Sequence, residues 1–181
     1  MPLDPTVGTV LVLAYAALLL PAAWHKFRDL PVFAAVLDAY RILPRRLVPL
    51  LAPLVPVTEA GLAVGVCVPA SRPVCAVAIA ALMGLYALAI GWNVARGRTD
   101  LDCGCTGPLE RRPVAVWMVY RNALLAGLVL PVAGTWDSRA MTALDIFAVL
   151  AALVTSVFLW LAVDRLLGQV APRGALLKVS R

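Results

Sequence analysis

The sequence predicts an all-α integral membrane protein: a helical bundle of five transmembrane helices plus one interfacial helix. Two observations carry that prediction. Of the 181 residues, 62% are hydrophobic and only 14% charged, whereas a soluble domain carries roughly half and about a quarter. Five stretches also approach the about 20 apolar residues that a helix needs to cross a bilayer. A single-core soluble enzyme is excluded, because so few charges cannot cover so much apolar surface. A net charge of +6 and a pI near 9.6 could suit DNA, but no basic block is dense enough to track phosphates. No nucleic-acid partner is therefore expected, and membrane lipids are.

The spans are read at 7–24, 47–68, 73–94, 114–132 and 141–163, each bounded by charges, Pro or Gly. None shows the period-two alternation of a barrel strand. The first lacks the basic start and small-residue cleavage site of a signal peptide, carrying Asp4 before it and His25, Lys26 and Arg28 after it, so it is read as retained. Residues 30–43 place Phe33, Val36, Leu37, Tyr40 and Leu43 at helical spacing over too short a length to cross, which predicts an interfacial helix. The second span opens irregularly because Pro49, Pro53 and Pro56 each remove a backbone donor. Its second half carries Gly61 and Gly65, small residues four apart that suit close helix packing. Residues 1–168 are read as one membrane domain and 169–181 as a short basic tail.

The basic residues give the orientation. Lys26, Arg28, Arg41, Arg45 and Arg46 fall in the first loop, Arg96, Arg98, Arg111 and Arg112 in the third, and Arg165, Arg173, Lys178 and Arg181 in the tail. The opposite loops hold only Arg72 and Arg139. This bias predicts the amino terminus outside a plasma membrane and the first loop, third loop and tail in the cytoplasm. A four-span count is the alternative, and it would move the third loop.

The third loop contains Cys103-Gly104-Cys105. A disulfide at that spacing closes a small strained ring, and strained bridges open easily, which suits exchange better than stapling. Inert thiols and half of a zinc site are the alternatives, and zinc wants four ligands at wider spacing. No metal is expected. Cys67 and Cys75 flank the short second loop; they are read either as two small buried side chains or as a second thiol pair. His25 and Lys26 sit at the mouth of the first span, where a cation beside a thiol raises its thiolate fraction; anchoring the helix end at the headgroups is the alternative.

Glu59 lies inside the second span, and Arg121 with Asn122 inside the fourth. An isolated charge there is costly, so a Glu59–Arg121 pair is expected, with Asn93 adding a polar contact. The network is read as structural or as lining a cofactor pocket, for which a quinone is the candidate.

The order Trp24-His-Lys-Phe27, Tyr40-Arg-Ile-Leu-Pro44, Pro56-Val-Thr-Glu59-Ala-Gly61, Asn93-Val-Ala-Arg-Gly97, Cys103-Gly-Cys105-Thr-Gly107 and Arg121-Asn122 resembles the methylamine-utilisation MauE family and its DoxX-like relatives. Thr106 stands where the family pattern has Phe, which bears on loop packing and leaves both thiols in place. The resemblance implies a redox-associated membrane protein that supports thiol–disulfide exchange or electron relay with a thioredoxin-like partner, as in maturation of the disulfide-rich methylamine dehydrogenase. Cys103 and Cys105 would exchange, and His25 and Lys26 would promote the thiolate. With that substrate outside and the loop inside, either electrons are relayed across the bilayer or the orientation is inverted. The rival class is a non-catalytic membrane subunit or small-solute transporter built on a Glu59/Arg121 pair.

Overall fold

The structure, a computed structural model, describes residues 2–101 and 113–170. Five helices are long and apolar enough to cross a membrane, over Pro5–Arg28, Arg45–Gly65, Arg72–Ala95, Val116–Ala133 and Ala143–Val163. The expected five spans and the short helix after the first are therefore all present, and the described residues form no β-strand.

Helix α1 (Pro5–Arg28) starts where Asp4 accepts a bond from Thr6 N at 2.8 Å and Pro5 takes the first helical position, a pairing that suits helix N-termini. Gly8, Val12, Tyr15, Leu19, Ala23 and Lys26 are buried along it, the three-and-four spacing of one helix face. Asp29 caps α2 (Leu30–Tyr40), which buries Phe33 and Tyr40 and stops three residues short of the expected 43. The stop is a left-handed residue, Arg41, at φ 50°.

A 3-10 turn (Arg45–Leu47) leads into α3 (Val48–Gly65). Pro53 and Pro56 lie inside this helix, and neither breaks it. Helices α4 (Arg72–Ala95) and α5 (Val116–Val129) follow, then a 3-10 turn (Leu130–Ala133) and α6 (Ala143–Val170). Helix α6 runs two residues past the expected domain end at 168; of the expected tail, 171–181 lie outside the described residues.

Helix α1 packs most extensively on α3, and α4 on α5; α3 also touches α4, and α6 lies against α1. Toward the Asp4 end, Val12, Tyr15 and Leu19 meet Ala63, Val66, Ile79, Met83 and Val129 in one apolar cluster. Toward the α2 end a smaller one gathers Tyr40, Ile90, Val114 and Met118. Of the two glycines expected to pack closely, Gly65 does, since a Cβ there would come within 2.5 Å of Cys75 Sγ. Gly61 faces open space.

The Asp4 end is closed by polar contacts. Leu3 N donates to Thr135 O at 2.8 Å and Asp137 N to Leu3 O at 2.9 Å. The indole of Trp136 packs so closely on Gly8 that a Cβ there would fall 2.6 Å from the ring, and Arg72 stacks on the same indole at 4.0 Å. Arg139 joins Asp4 at 2.9 Å to Asp145 of α6 at 2.8 Å and also bonds Thr6 Oγ1.

The Arg139 guanidinium holds the Asp4 carboxyl down to about 2, from an ordinary 3.8. A carboxyl lowered on folding stabilises the fold above its unfolded value, and that contribution is lost as the pH falls through the folded one. The thermal midpoint of the wild type in detergent should therefore drop between about pH 4 and pH 2. Asp4→Asn should start lower at neutral pH and drop less across that window.

Candidate functional site

Lys26 of α1 and Glu59 of α3 meet inside the bundle. Lys26 Nζ donates to both carboxylate oxygens, at 2.6 and 2.7 Å, and Tyr86 Oη donates to Oε1 at 2.6 Å. Lys26 is 6% exposed and Glu59 1%. The Lys26 ammonium also lies 5.5 Å from the Phe33 ring and 5.8 Å from that of Tyr86, within cation–π range. Four helices thus converge on one carboxylate: α1 through Lys26, α3 through Glu59, α4 through Tyr86, and α2 through Phe33 as a cover. A charge buried in this way is tolerable only when paired and hydrogen-bonded.

This corrects the expected Glu59–Arg121 pair. Glu59 takes Lys26 and Tyr86 instead, and α5, which carries Arg121, packs chiefly on α4. Its guanidinium lies 5.1 Å from the Trp117 ring and 5.2 Å from Trp160 of α6. Lys26 reaches Glu59 because α1 continues to Arg28, which puts Lys26 inside the helix rather than at the mouth of a span ending at 24. Its ammonium is therefore committed to Glu59, whereas His25 is exposed at the same end. Tyr86, the third member, was not singled out from sequence.

Asn93 and Asn122 are both buried. Asn122 Nδ2 donates back to Met118 O at 2.8 Å, within its own helix. Asn93 Nδ2 donates to Ala89 O at 3.1 Å and its Oδ1 accepts from Arg98 at 3.0 Å. Arg98 also donates to Ala39 O at 2.7 Å and Tyr40 O at 3.2 Å, so it satisfies the final carbonyls of α2 with a cation, the sign the helix dipole favours there. Gly97, at φ 71°, makes the turn that delivers it. Among the described residues, Glu59, Asn93 and Asn122 thus bond different partners.

Cys103 and Cys105 lie outside the described residues. On either side of them in the chain, Val114 N donates to Leu101 O at 2.9 Å. Cys67 and Cys75 are free thiols. Cys67 is exposed and donates to Ala63 O at 3.4 Å, while Cys75 Sγ is seated against Gly65. The two thiols thus have different neighbours. Among the described residues no group of three His, Cys, Asp or Glu side chains is placed to hold a metal ion.

The fold and this ion pair define a multi-pass helical membrane protein whose buried charges are neutralised within the bundle. The family described as methylamine utilisation protein MauE matches residues 4–137, and the chain belongs to that family. Relatives named methylamine utilization protein MauE include that of Methylophilus methylotrophus, 37% identical over 169 residues that cover 91% of this chain and 88% of the relative. The Paracoccus denitrificans protein is 38% identical over 131 residues, 72% of this chain and 70% of the relative. The Methylorubrum extorquens protein is 37% identical over 143 residues, 74% and 77%. No solved structure matches the chain.

Removing one partner of a buried pair strands the other charge, at a cost of about 3–5 kcal/mol. Lys26→Met and Glu59→Gln should each lower the unfolding midpoint strongly. The Lys26→Met/Glu59→Leu double variant should lose far less than the sum. Arg121→Gln should show no coupling to Glu59→Gln in the same unfolding measurements.

Proposed function

We propose that the chain is an accessory membrane protein of methylamine utilisation that supports thiol–disulfide exchange with a thioredoxin-like partner through Cys103 and Cys105. The observation that carries this reading is the Cys-Gly-Cys sequence inside the family-matched region 4–137. The closed feet of its loop at Leu101 and Val114 support it by giving the loop a fixed base on the bundle.

In the proposed step, one cysteine attacks a partner disulfide as the thiolate. The partner's S–S bond breaks, one partner thiolate leaves, and a mixed disulfide forms. The second cysteine then attacks the mixed bond and releases the partner as a dithiol, leaving a Cys103–Cys105 disulfide. Two electrons pass from this chain to the partner, and the reverse sequence reloads it from a dithiol protein. His25, exposed at the α2 end, is the group proposed to favour the thiolate, and Lys26 is left out of that role by its bond to Glu59. The distribution of basic residues supports a cytoplasmic α2 end.

Trapping tests the reading. Cys103→Ser or Cys105→Ser, expressed in methylamine-grown cells, should accumulate a mixed disulfide with a thioredoxin-fold protein that dithiothreitol releases. Absence of any such adduct from both variants would sink the exchange chemistry and turn the reading to a non-catalytic membrane subunit. Sidedness has its own test: a membrane-impermeant maleimide applied to intact cells should label neither Cys103 nor Cys105, while permeabilised cells should be labelled at both.

A further inference from the structure

The connection between α1 and α3 presents a basic surface that the ion pair and the exchange loop leave unused. Trp24 and Phe27 are exposed at the end of α1, 62% and 40%, the placement of aromatic rings at a membrane–water boundary. Beyond them the chain exposes Arg28 and then, after α2, Arg41, Arg45 and Arg46 with the apolar Ile42 and Leu47 between and beside them. Two acids lie on this stretch. Asp29 caps α2, and Asp38 takes Arg45 at 3.2 Å, so the surface keeps a net positive charge.

Arg41 supplies the second observation. It closes α2 in the left-handed region at φ 50°, with its N–H donating to Asp38 O. Glycine occupies that position without steric cost, and a side chain does not. A strained residue held at a helix end points to a use for its side chain. Arg41 lies within five residues of Arg45 and Arg46 along the chain, and all three are exposed.

We infer that Arg41, Arg45 and Arg46 form a seat for the phosphate of an anionic phospholipid, with Ile42 and Leu47 against its acyl chains. Charge complementarity selects the headgroup, and the interleaved apolar side chains select a lipid over a soluble anion or an acidic protein face. The inference does not depend on the exchange chemistry.

Native mass spectrometry of the full chain in detergent provides the test, with phosphatidylglycerol and phosphatidylcholine of matched acyl chains as probes. The wild type should retain phosphatidylglycerol in clear preference, by about fivefold for each arginine engaged, and added salt should erode that preference. Arg41→Gly should leave the thermal midpoint in phosphatidylcholine unchanged or raised, because glycine suits the backbone there, while cutting phosphatidylglycerol retention. Arg41→Gly/Arg45→Gln/Arg46→Gln should abolish the preference. Equal retention of both lipids by the wild type would overturn the assignment, as would a triple variant that keeps the preference. Full displacement of the lipid by millimolar inorganic phosphate would show a soluble-anion site instead. Arg41-dependent retention of an acidic protein without lipid preference would show a protein surface; either result also overturns it.

Discussion

The Lys26–Glu59 ion pair is the constraint around which this bundle is arranged. Hydrocarbon gives no water to a stranded ammonium or carboxylate, so each charge requires the other, and the requirement fixes which helices meet. Helix α1 must run to its last turn alongside α3 for Nζ to reach both oxygens of Glu59. Tyr86 must come in from α4 to satisfy Oε1 a second time. The short helix α2 must fold back so that Phe33 covers the ammonium. Such a pair need not add net stability over an apolar core. Its effect is selective, because any arrangement of the helices that separates the two charges is penalised heavily.

How much of this was legible in the sequence depends on whether a reading used height alone or height and facing together. The spans could be found because apolar length is a one-dimensional signal, and all five appear within a few residues of where composition puts them. Pairing Glu59 with Arg121 followed from both charges lying inside spans, which says nothing about which way a side chain faces. Facing was also written in the chain. Gly8, Val12, Tyr15, Leu19, Ala23 and Lys26 form one three-and-four stripe, as do Val48, Ala52, Pro56, Glu59 and Ala63. Asn93 and Asn122 continue the buried stripes of α4 and α5. His25 and Arg121 fall off those stripes, His25 into the open and Arg121 beside Trp117 and Trp160. Tyr86 and Arg98 carried no such mark. Tyr86 sits on the flank of its helix, and Arg98 acts only because Gly97 turns it back toward the end of α2.

The two ends of the bundle use polarity differently. At the Asp4 end, Arg139 gathers Asp4, Thr6 and Asp145 into a clip that ties the start of α1 to the start of α6. Helix α6 lies beyond the family-matched region and meets the bundle mainly along α1, so this clip and the contact of Trp160 with Arg121 hold an otherwise peripheral helix. At the α2 end the contacts are directed inward. Arg98 secures the last turn of α2, and the Leu101–Val114 backbone bond closes the base of the segment that carries both loop cysteines.

The ion pair also bears on where electrostatic help for a thiolate could come from. An isolated Lys26 ammonium near the α2 end would lower the cost of a thiolate at Cys103 or Cys105 over a long range through an apolar medium. Bonded to Glu59 it presents a dipole, whose influence falls off faster with distance than that of a charge. The pair is therefore electrostatically quieter toward that end than a lone Lys26 would be. Any standing positive potential at that end must then come from groups outside the pair, such as the exposed Arg28, Arg41, Arg46 and Arg96. Those charges stand in water or among headgroups, where salt screens them. In the proposed exchange, thiolate promotion would then draw on groups outside the pair rather than on Lys26.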